Sequence, residues 1–256
     1  ALQGAGAIAA AVMALAADLT RDEQRTKAMA GIGASIGLAF AVAMVLGPVV
    51  TAAYGLNGLF WCTAGLALAG ACVLFWLVPD PPGSHSMPRA LTIDGLAAIT
   101  KDGQLRRLYI GISVLHMVLT ATFVALPLAL RDIVGLELGS HWQVYLGIML
   151  ASLILMVPAI VYGERRGAVK AVFVGAVVLL AVALAGLGFA ASAWPVLLMG
   201  VLFFSAFNVL EALLPSLVSR TASPDHKGAA MGVYSTAQFF GAFVGGSVGG
   251  LMHAQL

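Results

Sequence analysis

Charge is scarce here: 9% of the 256 residues are Asp, Glu, Lys or Arg, while 61% are hydrophobic. That balance excludes an ordinary soluble domain and a disordered tail. Cysteine is nearly absent as well. Cys62 and Cys72 are the two in the chain, they share one apolar run, and a straight helix holds residues ten apart about 15 Å from each other. A disulfide scaffold is therefore excluded, and both are expected to pack as small hydrophobes. No basic stripe interleaved with aromatics is present, which argues against nucleic acid as a partner. No HExxH, nucleophile motif, acid pair or His/Glu cluster is present, which argues against a membrane-embedded enzyme and against a metal site.

What the chain does have is long uncharged runs. Residues 28–79 contain no Asp, Glu, Lys or Arg, nor do 1–17, 108–130, 138–163, 171–210 or 228–256. A bilayer crossing needs about 20 apolar residues. Splitting 28–79 at Tyr54–Gly58 and 171–219 at Ala191–Pro195 predicts eight spans: 1–17, 28–53, 58–78, 108–130, 142–163, 171–190, 195–219 and 228–252. The first is short for a crossing. With alternating sides, Arg21, Arg25, Lys27, Arg89, Lys101, Arg106, Arg107, Arg165, Arg166, Lys170, Arg220 and Lys227 fall on one face and Arg131 alone on the other. Basic loops stay in the cytoplasm, so the rich face is cytoplasmic and both sequence ends point outward. This orientation accounts for the net charge of +2. The fold class is all-α and polytopic, with the lipid bilayer as surroundings.

The chain also repeats itself. Arg25-Thr-Lys-Ala28-Met29-Ala30 parallels Lys227-Gly-Ala-Ala230-Met231-Gly232 at an offset of 227 − 25 = 202. At that offset Glu23 meets Asp225, Ala43 meets Gly245, Gly47 meets Gly249 and Pro48 meets Gly250. The first predicted span lands on the seventh, so the repeat unit is six helices running in the same direction. Parallel repeats of this kind are one of the usual transporter constructions. A complete pair needs twelve spans, which predicts three before residue 1 and one after Leu256.

These features resemble the major facilitator superfamily. Gln3-Gly4-Ala5-Gly6-Ala7 is similar to its fourth-helix motif. Ala43-x-x-x-Gly47-Pro48-x-x-Thr51-Ala52 is similar to its fifth-helix antiporter signature, with Ala43, Thr51 and Ala52 where glycines are usual. Gly163-Glu164-Arg165-Arg166-Gly167-Ala-Val-Lys170 resembles a degenerate copy of its cytoplasmic loop motif. Ala9–Leu15, Thr26–Ala30, Phe123–Pro127, Phe207-Asn208, Glu211–Ser216 and Ala230–Ser235 resemble the bacterial YajR-type drug-efflux branch. The resemblance implies spans four to eleven of a twelve-helix fold. Residues 1–78 would belong to the first bundle, 79–104 to a cytoplasmic linker with a short surface helix near Leu91–Ile99, and 105–256 to the second bundle. It further implies a monomer that exports small amphipathic compounds by alternating access. The proton gradient would drive it, with no cofactor. An importing symporter or facilitator on the same scaffold is the alternative.

Glu211 is the one acid inside a predicted span core. A charge there costs roughly 2.5–3.5 kcal/mol, so it faces a cavity or a partner. It lies about 12 Å from the cytoplasmic end of its span, and His116 lies at about the same depth on another. The two are candidates for proton coupling, together with Asn208 one turn from Glu211. A structural hydrogen bond competes with that role, and for His116 it is the favoured reading. Gln3 and Gln238 are expected to hydrogen-bond between helices or to touch substrate. Ala43, Gly47 and Pro48, with Gly245 and Gly249 in the second copy, predict flat faces for close helix packing. Asp18, Arg21, Arg25, Arg165 and Arg166 supply cytoplasmic loop charges. Thr20-x-x-Glu23 reads as a capping box.

Overall fold

The computed structural model describes residues 22–78, 93–223 and 226–255. Its described residues form helices and no strand. In lipid that is what the backbone requires, because a helix satisfies its polar groups within one segment. The elements are α1 (Asp22–Leu77), α2 (Ile93–Lys101), α3 (Gly103–Asp132), a 3-10 turn (Leu138–Ser140), α4 (His141–Arg165), α5 (Val169–Gly188), α6 (Ala193–Thr221) and α7 (Lys227–Gln255). Gln3, Asp18, Arg21 and the span expected at 1–17 lie outside the described residues, as does part of the expected capping box. Arg25 falls in the first turns of α1.

The chain divides into two compact units. The first, as described, is α1. It carries a kink at Gly55, where φ is 66° and ψ −173°. That conformation is open essentially only to glycine, and it falls inside the break expected at Tyr54–Gly58. Pro48 sits inside the helix. A Cβ added at Gly47 would meet no described atom within 4 Å, so the close helix approach expected of the Ala43–Gly47–Pro48 strip is not seen among the described residues. Cys62 and Cys72 are free thiols and exposed on α1, not packed as expected.

The second unit contains α2 to α7. Five described segments are long and apolar enough to cross a membrane: Val45–Leu77 in the first unit and Gly103–Asp132, Leu138–Arg165, Val169–Gly188 and Ala193–Thr221 in the second. At 29 residues α7 has the length too, but seven glycines and Gln238 dilute its apolar character. The surface helix expected at Leu91–Ile99 is α2. It packs on α3 and α7 with Ile99 buried. Asp102 caps α3, its carboxylate accepting from the Gln104 and Leu105 amides at 2.8 and 2.9 Å. At the turn that carries Arg165 and Arg166, Gly167 takes φ 63° and the Ala168 amide donates to the Gly163 carbonyl at 2.8 Å. This αL closure ends α4 and starts α5. Arg165 and Arg166 are both exposed there.

Central in this unit is α6, which packs against α3, α4, α5 and α7. Phe203, Phe204, Ser205, Ala206, Val209, Leu210, Leu213 and Val218 are buried around most of its circumference. A helix apolar on every side belongs in such a position. Between helices surrounded by lipid there is little hydrophobic drive, so shape and hydrogen bonds hold them. The tightest fit is α3 against α7. A Cβ at Gly241 would strike the Ser113 carbonyl, one at Gly245 the Met117 carbonyl, and one at Gly249 would lie 3.3 Å from the Ala121 Cα. The offset is constant (241 − 113 = 245 − 117 = 249 − 121 = 128), so α3 and α7 run parallel. Thr120 closes the seam, donating to the Ala242 carbonyl at 2.9 Å. The flat faces expected at Gly245 and Gly249 are present, and Gly241 extends them by a turn. Phe239, Phe240 and Phe243 point out of the unit.

Candidate functional site

Midway along the unit, three helices place polar side chains together in an otherwise apolar interior. Glu211 lies ten residues from the C-terminal end of α6 (221 − 211), His116 thirteen from the N-terminal end of α3 (116 − 103) and Gln238 eleven from the N-terminal end of α7 (238 − 227). At 1.5 Å per residue these are depths of about 15 to 20 Å, near the middle of a 30 Å hydrocarbon layer. Similar depth on α6 and on two helices that run the opposite way is what lets them meet.

Gln238 joins the other two. Its Nε2 donates to His116 Nε2 at 2.8 Å and to Glu211 Oε1 at 3.3 Å. His116 Nδ1 and Glu211 Oε2 then face each other across 3.8 Å. That is too long for a hydrogen bond, and both atoms are buried without any other hydrogen-bond partner among the described residues. An amide nitrogen only donates, so His116 Nε2 is the acceptor and the imidazole proton resides on Nδ1, pointing at the carboxylate. Phe207 sets its ring edge against His116, with centroids 5.7 Å apart. The Glu211 side chain keeps 35% of its surface open and that of His116 13%, so the acid is the more exposed of the two. Tyr234, one turn before Gln238, is buried, and its hydroxyl has no hydrogen-bond partner among the described residues.

Glu211 and His116, placed by the sequence only at similar depth, are joined here through Gln238. Asn208 is elsewhere. Its Nδ2 donates to Ser152 Oγ on α4 at 2.9 Å, and Ser152, fully buried, donates its own hydroxyl hydrogen bond to the Met149 carbonyl at 2.7 Å. This is an α4–α6 clasp separate from the Glu211 group. Three residues along a helix rotate a side chain by 300°, and on a helix packed all round that 60° difference selects another neighbour. Ser152 and Tyr234 were absent from the expected site. A polar residue inside an apolar run was the available signal for each. Among the described residues no group of three or more metal-ligating side chains occurs.

Small-residue seams and an ionisable polar cluster at mid-depth in a polytopic helical unit are features found in the bundles of membrane transporters. Residues 1–246 match the Major Facilitator Superfamily, and the chain belongs to it. It is 49% identical over 253 residues to the inner membrane transport protein YajR of Escherichia coli (strain K12), covering 98% of this chain and 55% of that protein. It is 30% identical over 254 residues to an uncharacterized transporter of Buchnera aphidicola subsp. Acyrthosiphon pisum, covering 95% of this chain and 63% of the relative. Against another from Buchnera aphidicola subsp. Baizongia pistaciae it is 27% identical over 261 residues, covering 100% and 66%. The chain therefore spans roughly half to two thirds of the length of these relatives. No solved structure matches it. Membership in this superfamily makes the chain part of a transporter and not an enzyme.

Proposed function

We propose that the full transporter exports small amphipathic compounds from the cytoplasm in exchange for protons, with Glu211 as the coupling group. The observation that carries this is the Glu211–Gln238–His116 group. It contains a mid-depth carboxylate whose oxygen Oε2 has no hydrogen-bond partner among the described residues. A carboxylate in such a place is neutralised by a proton or by a cationic substrate, and competition between the two is the simplest form of antiport. Few polar groups surround it. That suits substrates that are apolar over most of their surface better than sugars, which need many hydrogen-bond partners. The protein would act as a monomer in the inner membrane, the location named for the Escherichia coli relative.

The test uses everted vesicles, whose lumen corresponds to the outside. With the lumen acidified, fluorescent amphipathic dyes should accumulate, and the accumulation should collapse when the gradient is dissipated. Glu211→Gln should remove gradient-driven accumulation while leaving downhill exchange. Full gradient-driven transport in that variant would refute the assignment. Proton-driven depletion of a nutrient from the lumen would establish an importer instead.

A further inference from the structure

We infer that Gln238 is a positioning residue whose amide couples the tautomer of His116 to the protonation of Glu211. The inference rests on the coupling role proposed for Glu211 and adds how its neighbour responds.

One nitrogen of Gln238 touches both partners, at 2.8 Å on His116 Nε2 and 3.3 Å on Glu211 Oε1. With the NH2 group turned toward them, both partners must accept: the imidazole carries its proton on Nδ1 and the carboxylate is bare at Oε1. With the amide reversed, its oxygen occupies that place and both partners must donate. The imidazole then carries its proton on Nε2, and Glu211 carries one on Oε1. A proton on Oε1 or a tautomer change by itself leaves two donors or two acceptors in contact, whereas a proton on Oε2 leaves the first arrangement intact. The coupling therefore requires the proton to enter on Oε1, the oxygen that faces the amide.

The protons balance. Passing from the first arrangement to the second takes two protons from water, one onto Glu211 Oε1 and one onto His116 Nε2. It returns one from His116 Nδ1, for a net uptake of one. Nδ1 and Oε2 face each other at 3.8 Å and are buried without a close hydrogen-bond partner among the described residues. The Ile112 carbonyl, one turn back on α3, is set against the His116 ring, and the exchange gives up that contact. The backbone supports a fixed amide. Gly241 and Gly245, one and two turns along α7 from Gln238, press against α3 and hold the base of the Gln238 side chain at a set distance from His116. Of the elements packed on α7, α3 turns His116 to the amide and α6 turns Glu211. Tyr109 on α3 and Tyr234 on α7 are the other buried titratable groups on these helices, and α2 brings the exposed Lys101.

The experiment follows both groups in the full transporter in lipid: the tautomer of His116 by nitrogen-15 NMR, and the Glu211 carboxyl by its infrared C=O band, assigned by its loss in Glu211→Gln. In the unsubstituted protein the Nδ1–H form should give way to Nε2–H at the same pH midpoint at which the carboxyl band appears. In Gln238→Met, which keeps the length and removes both hydrogen bonds, the two midpoints should separate by about one pH unit or more. A tautomer that stays Nδ1–H while the carboxyl titrates would overturn the inference, and the unsubstituted protein alone suffices to show it. Coincident midpoints in Gln238→Met would overturn it as well. Failure of the antiport reading is seen separately, as gradient-driven transport that survives Glu211→Gln.

Discussion

Gly245 and Gly246 are neighbours on α7, yet adding one methyl group to each should have opposite effects. At Gly245 a Cβ runs into the Met117 carbonyl and Thr120 Oγ1, while at Gly246 it meets nothing within 4 Å. A backbone carbonyl has no rotamer to escape into, so the helices must separate. Overpacking of this kind costs about 1–3 kcal/mol. Separation also weakens the 2.9 Å bond from Thr120 to the Ala242 carbonyl, and interhelical bonds in membranes average about 0.6 kcal/mol. Alanine is favoured over glycine within a helix by about 1 kcal/mol at both sites. Gly246→Ala should therefore be neutral or stabilising by up to that amount. Gly245→Ala should lie about 2–3.5 kcal/mol below it, the sum of the packing and hydrogen-bond losses. Equilibrium unfolding in mixed micelles, with both variants compared in the full transporter, measures the difference. Equal stabilities would refute the close α3–α7 seam.

Three further outcomes follow from the same structure. Gly55→Ala forces a side chain into φ 66°, ψ −173° and should destabilise the first unit by about 1–3 kcal/mol, measured by thermal unfolding. Asn208→Ala removes the 2.9 Å clasp to Ser152, which should cost about 0.6 and at most about 1.7 kcal/mol; proton coupling in vesicles should be unchanged, since the clasp is separate from Glu211. Cysteines introduced singly at the exposed positions Arg165, Lys227 and Arg131, after replacing Cys62 and Cys72, should react with an impermeant thiol reagent from the cytoplasmic side at the first two and from outside at the third.

Helix positions were legible because lipid enforces them. Uncharged runs predicted spans at 108–130, 142–163, 171–190 and 195–219, and the helices extend each by a few polar or turn residues at one or both ends. The shared depth of Glu211 and His116 was legible for the same reason, since rise along a helix is fixed. Direction around the helix axis was not. Gln238 could be named as a polar group in a span, but its place between the other two depends on how α3, α6 and α7 are rotated in their seams. Asn208 shows the same limit, because its spacing from Glu211 suggested one face and the packing of α4 claimed it. The repeat foresaw Gly245 and Gly249, and the same four-residue spacing reaches Gly241.

The central claim is that substrate and proton compete for Glu211. The most direct measurement adds a transported amphipathic cation to the purified full transporter in weakly buffered detergent solution and follows a pH indicator. Binding should release a proton, with the yield falling as the starting pH is raised and the carboxyl empties beforehand. Glu211→Gln should bind without release. Proton release of undiminished yield from that variant would contradict the account.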